Sequence, residues 1–459
     1  KNLLVKAKHI SAKDFEQMIY NEKNLKSNFF YVKAQGEELD KLLFNFRYLK
    51  EKLEKNQVTI FEINNQYGYM INVIFSNNAK TGREYEKWVR ENTETGFLAR
   101  FKFSSFIPFL FLDIQPTDSL FCQGQIDPSV VEIFSRILSK GCVFINEPDN
   151  KKGKENYNFG SNNICVLSYE NPLEIPQINL FEKVICIAPS SEDGSIHDSL
   201  SNWSVSNAIQ NNKKQKEYLK SSLKKLDVNG ICVYATFSIN PIENEAVVNS
   251  VISESNEEYS LVDCSSKFNE IKRLQGLTNW ETDEFQMNSN NIDNILFCMR
   301  FYSYLIHSDS TFVAVIIRKT MNENTDAKMS INNTKHEEVL QKIVDNIIIN
   351  FGFNANYFND LSFEFLDSFK NTIFSISKYL KKVIDMKDNQ TLKIIFMGSS
   401  SFFFNEKNYN SIPIPLVDGL PQAAKYPSKR VITIDFSCFA KLISSLKIPF
   451  EKFPVELQN

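Results

Sequence analysis

The sequence predicts an α/β protein built on a doubly wound sheet, with a small α+β domain on either side of it. Two patterns carry the central assignment. From Ser119 onward, short apolar runs rich in β-branched residues alternate with amphipathic stretches, the mark of strands joined by crossover helices. Within that region, Gly230-Ile-Cys-Val-Tyr-Ala-Thr-Phe-Ser-Ile-Asn-Pro-Ile-Glu-Asn-Glu-Ala-Val247 reads as a strand covered on both faces, a turn fixed by Pro241, and a helix whose first turn is favoured by Glu243 and Glu245. A strand feeding a helix at the carboxyl edge of a parallel sheet is where open α/β folds place ligands. The length, 459 residues, exceeds a single core and implies roughly two to four domains.

Taken in order, residues 1–95 form the N-terminal α+β domain. Residues 40–55 space Leu43, Phe46 and Leu53 for a helix, and residues 58–63 and 67–75 read as strands. Residues 96–320 hold the doubly wound sheet, with strands expected at 119–122, 142–146, 164–167, 184–188, 231–235 and 312–318. Its helices are expected at 130–138 and 206–226. Residues 321–334 are a polar linker free of aromatics. In residues 335–459, helices are expected at 336–351, 370–384 and 436–445, and strands at 391–398, 412–416 and 430–435.

Composition excludes several classes. The hydrophobic share of 42% suffices for a sizeable core, and no apolar run is long enough to cross a bilayer. The richest run, residues 106–114, is interrupted by Pro108. No signal peptide or anchor is legible, although the start at Lys1 without Met leaves room for a preceding segment. Eight cysteines, at 122, 142, 165, 186, 232, 264, 298 and 438, never fall in a Cys-x-x-Cys spacing and mostly lie in strand-like runs, so they read as reduced core residues. The four histidines, His9, His197, His307 and His336, form no cluster with them, and no metal site is expected. An intracellular protein, nuclear or cytoplasmic, with no membrane partner is the resulting expectation. The net charge of −3 is not that of a protein basic all over.

Tyr234-Ala-Thr-Phe-Ser-Ile-Asn-Pro-Ile-Glu-Asn-Glu-Ala-Val247 resembles the late motif of the Nop/Sun family of RNA cytosine-5 methyltransferases, Tyr-Ser-Thr-Cys-Ser-Leu-Asn-Pro-x-Glu-Asp-Glu. Other stretches agree. Residues 91–116 resemble the family's leading segment, keeping Arg100 but carrying Phe101 and Lys102 in place of Gln-Glu; Phe312-Val-Ala-Val315 matches the closing strand; and Arg300 matches the arginine of Arg-x-Leu-Pro-His. The resemblance implies that residues 96–320 are a Rossmann-like methyltransferase domain. It further implies that residues 335–459 are PUA-like, as in the eukaryotic tRNA branch.

The resemblance also implies a site, and the chemical residues of that site are the ones that differ. The family binds S-adenosylmethionine with Asp-x-Cys-Ala-Ala-Pro-Gly-Ser-Lys-Thr, because glycine lets the backbone approach the ligand. Here the aligned residues are Cys122-Gln-Gly-Gln-Ile-Asp-Pro-Ser-Val-Val131. Glu147 matches the acid that grips the ribose, and Glu170 the residue that reads the adenine amine. The nucleophilic cysteine is replaced by Phe237, the second cysteine by Ser190, and the acid that protonates the cytosine by Ile187. A phenyl ring cannot attack a pyrimidine, and a serine hydroxyl needs an adjacent base.

The expectation is a catalytically degenerate, RNA-binding or scaffolding relative of tRNA cytosine-5 methyltransferases. RNA, by the family resemblance tRNA, is the expected partner, contacted by Lys213, Lys214, Lys216 and Lys220, for which a solvated helix face is the plain alternative. Two other readings stay open. One is an active enzyme with a rebuilt site using Cys186 or Ser190, and the other is a protein partner of an active paralogue.

Overall fold

In the computed structural model, residues 10–56, 58–76, 79, 81–176, 181–194, 204–279, 294–319, 334–351, 361–364, 366, 371–385, 392–404 and 413–416 are described. The chain begins with α1 (Ala12–Asn24), β1 (Leu25–Val32), α2 (Glu37–Lys55), β2 (Thr59–Asn65), β3 (Gly68–Ser76), α3 (Arg83–Glu94) and β4 (Leu98–Phe101). The four strands make an antiparallel sheet in the order β2-β3-β1-β4. Leu42, Phe46, Leu49 and Leu53 recur at helical spacing and form the buried face of α2. Phe46 meets Trp88 of α3 with ring centroids 5.1 Å apart.

α4 (Phe103–Leu110) then runs into the core with every residue buried. It stacks Phe103 on Phe29 of β1 at 4.6 Å. The winding region follows as β5 (Ser119–Gly124), α5 (Pro128–Ile137), β6 (Cys142–Asn146), α6 (Asn150–Asn156), β7 (Ile164–Leu167), β8 (Phe181–Ile187), α7 (Val205–Leu223), β9 (Leu226–Thr236), α8 (Glu245–Ser253), β10 (Tyr259–Leu261), β11 (Leu274–Gln275), β12 (Met299–Phe301), α9 (Ser303–Ile306) and β13 (Thr311–Arg318). Polar caps set the helix starts. Asp127 accepts from the Ser129 amide with Pro128 behind it, Asp149 accepts from the Lys151 and Lys152 amides, and Ser204 accepts from the Asn207 amide.

The remaining described elements are α10 (Thr334–Phe351), β14 (Leu361–Glu364), β15 (Thr372–Ser377), α11 (Lys378–Asp385), β16 (Ile394–Met397), β17 (Ser399–Phe403) and β18 (Ile414–Pro415). Residues divide into two units, Lys1–Ile331 with Tyr379–Met397, and Asn332–Lys378 with Gly398–Asn459. The first unit holds a ten-stranded sheet in the order β11-β12-β13-β9-β8-β5-β6-β7-β16, with β10 paired to β13. Its five central strands, β9-β8-β5-β6-β7, are parallel. This is the doubly wound Rossmann-like α/β fold. The second unit has a separate antiparallel sheet, β14-β15-β17-β18, packed through Ile373, Phe363 and Phe402 on Ile343 and Ile347 of α10.

Several element boundaries differ from the sequence reading. The helix expected at 206–226 ends at Leu223, and Leu226 already belongs to β9, whose early part carries a register shift against β8 and a positive φ at Asn229. The helix expected at 370–384 is a strand, β15, followed by a short helix, because Thr-Ile-Phe-Ser-Ile-Ser is rich in strand-favouring β-branched and aromatic residues. Glu243 lies before α8, so only Glu245 stands in that helix's first turn. The strand expected at 391–398 pairs antiparallel with β7 at the edge of the first sheet. There Gly153 of α6 gives it room, since a Cβ on that residue would stand 2.4 Å from Ile395 Cδ1. The strand expected at 430–435, the helix at 436–445 and Cys438 lie outside the described residues. Among the described residues no helix is long and apolar enough to cross a membrane.

Phe396 on β16 is 1% exposed. Phe396→Ala is expected to lower the unfolding free energy of the first unit by about 3–5 kcal/mol in urea titration, a loss that an exposed, merely appended strand would not show.

Candidate functional site

The winding direction reverses between β5 and β8, so the loops beyond their carboxyl ends flank the crevice in which such sheets bind ligands. Gly124 ends β5 with a φ of 99°, and a Cβ there would stand 1.9 Å from the Ile187 carbonyl oxygen of β8. The space that glycine opens is therefore filled by the protein's own backbone. The same carbonyl accepts from the Gln125 amide at 2.8 Å, and Gln125 Nε2 donates to Glu192 Oε1 at 2.7 Å. The loops after β5 and β8 are thus tied across the crevice.

The candidate cofactor residues have local partners or face solvent. Glu147 is half-buried beyond β6, and its Oε1 accepts from the Asp149 amide at 3.1 Å. Glu170 is exposed and directly follows Tyr169, whose backbone exchanges two hydrogen bonds with the Asn146 side chain. Asp127 is spent capping α5, and Pro128 removes an amide that a cradle would use. Tyr157 is buried, with its hydroxyl pushed above the ordinary tyrosine range by burial first and by Glu147, Cys122 and Asp127 next. Gly124 is the single glycine of residues 122–131.

Ile187 ends β8 fully buried, Ser190 is half-buried, and Phe237 sits just beyond β9. Phe237 is held by its main chain: its carbonyl accepts from Gly194 at 3.0 Å, while Gly194's own carbonyl accepts from Ser310 at 3.0 Å. Ser190 Oγ accepts a long bond from the Glu192 amide, 3.4 Å. Cys186 is buried within β8 and its thiol is pushed up to about 12 by burial, so it is no thiolate at neutral pH. All seven described cysteines are buried.

Behind this site lies a polar network that sequence reasoning missed. Arg300 donates to Glu245 through Nε at 2.7 Å and Nη2 at 2.5 Å, and through Nη1 to the Ile239 carbonyl at 2.9 Å. Both partners are buried. Asp193 accepts from the Ile239 amide at 2.8 Å. Glu243 Oε2 accepts from the Ser191 amide at 2.9 Å, Gln215 Nε2 at 3.0 Å and Asn211 Nδ2 at 3.2 Å. Burial raises both carboxyls above the usual range. Nothing in the spacing of Asp193 and Glu243 announces that their loops are tied together; their common signal is a position just past the end of a buried strand.

A cleft of about 1210 Å³ opens beside the loop after α9, lined among others by Asn28, Arg90, Arg100, Lys102, Asp127 and His307. Arg100 donates to Asn28 Oδ1 and Lys102 to Asp309 Oδ2, each at 2.5 Å. His307, at a φ of 51°, stacks on exposed Phe61, and burial lowers its pKa, with Lys272 adding to the effect. The candidate RNA-binding lysines lie elsewhere, on α7. Lys213 and Lys214 are exposed, Lys216 is half-buried with its pKa lowered by burial, and Lys220 pairs with Glu254 at 2.6 Å. None of the four lines the cleft. Among the described residues no group of three or more His, Cys, Asp or Glu is placed to hold a metal.

Comparison with known proteins agrees with this architecture. The sequence profile of the 16S rRNA methyltransferase RsmB/F family matches residues 140–315. The multisite-specific tRNA:(cytosine-C(5))-methyltransferase trm4b of Schizosaccharomyces pombe is 26% identical over 302 residues, covering 51% of this chain and 44% of its own. A tRNA (cytosine(34)-C(5))-methyltransferase of Drosophila melanogaster is 26% identical over 215 residues, covering 41% and 29%. Thus the matched part spans less than half the length of these curated relatives. Among solved structures, NSun6 from Pyrococcus horikoshii with SFG aligns with a TM-score of 0.47 and 13% identity, covering 70% of this chain and 98% of that one.

Removing one partner of a buried ion pair leaves the other charge without compensation. Glu245→Ala is expected to cost about 3–5 kcal/mol in denaturant unfolding, and joint replacement of Glu245 and Arg300 by Leu and Met to restore much of it. Equal loss in the single and double variants would show that the cost does not come from an uncompensated charge.

Proposed function

The chain belongs to the Nop/Sun family of RNA (cytosine-5) methyltransferases, and on that premise we propose that it is a catalytically degenerate member that binds RNA without methylating it. One observation carries the reading: the residue at the family's nucleophile position is Phe237, and its loop is fixed by the Gly194 bond. No rotation of that loop supplies a sulfur. Cys186, the alternative thiol, is protonated inside the sheet. Ser190 has a backbone amide on its hydroxyl, so the group needed to take its proton is missing among its described partners.

A crevice tied shut by Gln125 and Glu192, with Asp127 and Glu147 already accepting from backbone amides, supports weak or absent cofactor binding in the same reading. The relatives' names speak of tRNA and rRNA, and this chain's RNA is proposed to be of that kind. The cleft beside Arg100 and Lys102 is the surface we assign to it, with exposed Lys213 and Lys214 as further phosphate contacts. The second unit, residues 332–378 and 398–459, is proposed as its PUA-like RNA-binding domain, and an active paralogue as its protein partner.

Two measurements test this. Calorimetric titration with S-adenosylmethionine and S-adenosylhomocysteine is expected to give no heat into the millimolar range. Transfer of label from S-adenosylmethionine to tRNA, abolished by Ser190→Ala, would overturn the reading. RNA binding is expected to weaken with salt, and Arg100→Ala or Lys102→Ala to reduce the slope of log affinity against log salt by about 1 per contact. Affinity that ignores salt would remove RNA from the proposal.

A further inference from the structure

The cleft beside the loop after α9 has an unfinished strand edge in its wall. β1 pairs with β3 along Leu25–Tyr31 but with β4 only along Phe29–Val32, because the chain leaves β4 at Lys102 and turns into α4. On that side Leu25–Asn28 has no strand partner among the described residues, and all four residues line the cleft. An open edge presents neutral amides and carbonyls in a row. Ser303, which lines the same cleft, is 2% exposed and its hydroxyl is enclosed without a hydrogen-bond partner. Nδ1 of half-buried His307 has none either. The His307 amide donates to the Ser303 carbonyl at 2.9 Å, so the two side chains stand on one turn. A buried polar atom without a partner costs stability that a ligand group meeting it recovers, and a single side-chain rotation re-aims a serine hydroxyl.

The charges of the lining balance. Lys26, Arg90, Arg100 and Lys102 are exposed, and Glu86, Glu94, Asp127 and Asp309 answer them. Lys102 already pairs with Asp309, and Arg100 donates to Asn28. Burial lowers the His307 pKa, so its ring is uncharged at neutral pH. A balanced wall supplies few phosphate contacts, and duplex recognition, which rests on phosphate rows and helix shape, has little to hold there. Unpaired RNA is held otherwise, by bases splayed out, stacked on rings and hydrogen-bonded along their edges. The cleft has those parts: neutral main chain on β1, neutral side chains at α9, and half-buried Phe75, whose ring is partly open. Its volume of about 1210 Å³ exceeds the roughly 300–1,000 Å³ of a small-ligand pocket and suits a run of a polymer.

Resting on the RNA reading above, we propose that this cleft reads the bases of an unpaired RNA segment: the open edge of β1, the Ser303 hydroxyl and His307 Nδ1 meet base edges, and Phe75 carries a stacked base. Ile187, Ser190 and Phe237 do not line the cleft, so a base held there stands apart from the positions at which the family carries out its chemistry.

The test uses the full chain and a short single-stranded RNA of mixed sequence, followed by fluorescence anisotropy. The single strand is expected to bind at least about tenfold more tightly than the same strand annealed to its complement, and abasic substitution, which keeps every phosphate, to remove most of that difference. Ser303→Ala and His307→Ala are expected to weaken binding about three- to tenfold each with the slope of log affinity against log salt unchanged, because the groups they remove are neutral. Ser303→Ala deletes a hydroxyl without a partner, so its stability in urea should not fall, which separates lost recognition from lost folding. Equal affinity for single strand and duplex, for abasic and intact strands, or for both variants and wild type would overturn base reading while leaving RNA binding in place. Absence of salt-dependent binding to any RNA would instead remove the RNA reading, and this proposal with it. Hydrogen exchange gives a readout on the wild type alone. Protection of the Leu25–Asn28 amides should rise when the single strand is added, and no gain would overturn the proposal and leave the edge to an extended peptide that adds as a strand.

Discussion

The buried Arg300–Glu245 pair is the interaction on which the site's architecture rests. Its two bonds join β12 to the first turn of α8, and its third, to the Ile239 carbonyl, fixes the turn between β9 and that helix. Ionised groups at this depth are tolerated only with close geometry and full hydrogen bonding. Here the guanidinium also approaches Tyr302 Oη at 3.3 Å, and Glu245 Oε1 takes the Leu277 amide at 2.9 Å. Three segments distant in sequence are brought to one point, and the Asn240-Pro-Ile-Glu-Asn-Glu245 turn has little freedom left. Asn240, Asn244 and Thr236 complete the turn with bonds to its own backbone and to each other.

This explains why scaffold residues persist in a chain whose chemical positions differ. The turn's polar residues hold the backbone, so they are retained whether or not a base is ever bound. Phe237 and Gly194 are joined through main-chain atoms, so this tie does not depend on the Phe237 side chain.

The fold was legible where one physical pattern dominated. Apolar runs such as Cys142–Asn146 and Ile164–Leu167 can be little else than strands buried on both faces, and the structure has them as β6 and β7. Residues 370–384 read as a helix because Ile373, Ile376, Leu380 and Ile384 recur at helical spacing, while the strand that replaces its first part, β15, covers only six residues. The site was legible as a place and not as a mechanism. Glu147 and Glu170 are named by the resemblance alone, and the capping of α5 by Asp127 and the tie between Gln125 and Glu192 depend on loop conformations that no spacing encodes. Asp193 and Glu243 look like ordinary loop acids until the sheet brings their loops side by side.

β16 carries a consequence for how the molecule is made. Leu167 on β7 pairs with Ile394, far along the chain, so during synthesis the four-residue edge of β7 stays open until that strand emerges. Loop-closure entropy makes so non-local a pairing late, and an unpaired flat edge is a template for a second chain. Chaperone demand during translation should concentrate on that interval. Splice or truncation forms ending before Tyr379 would carry the same adhesive border for their whole lifetime.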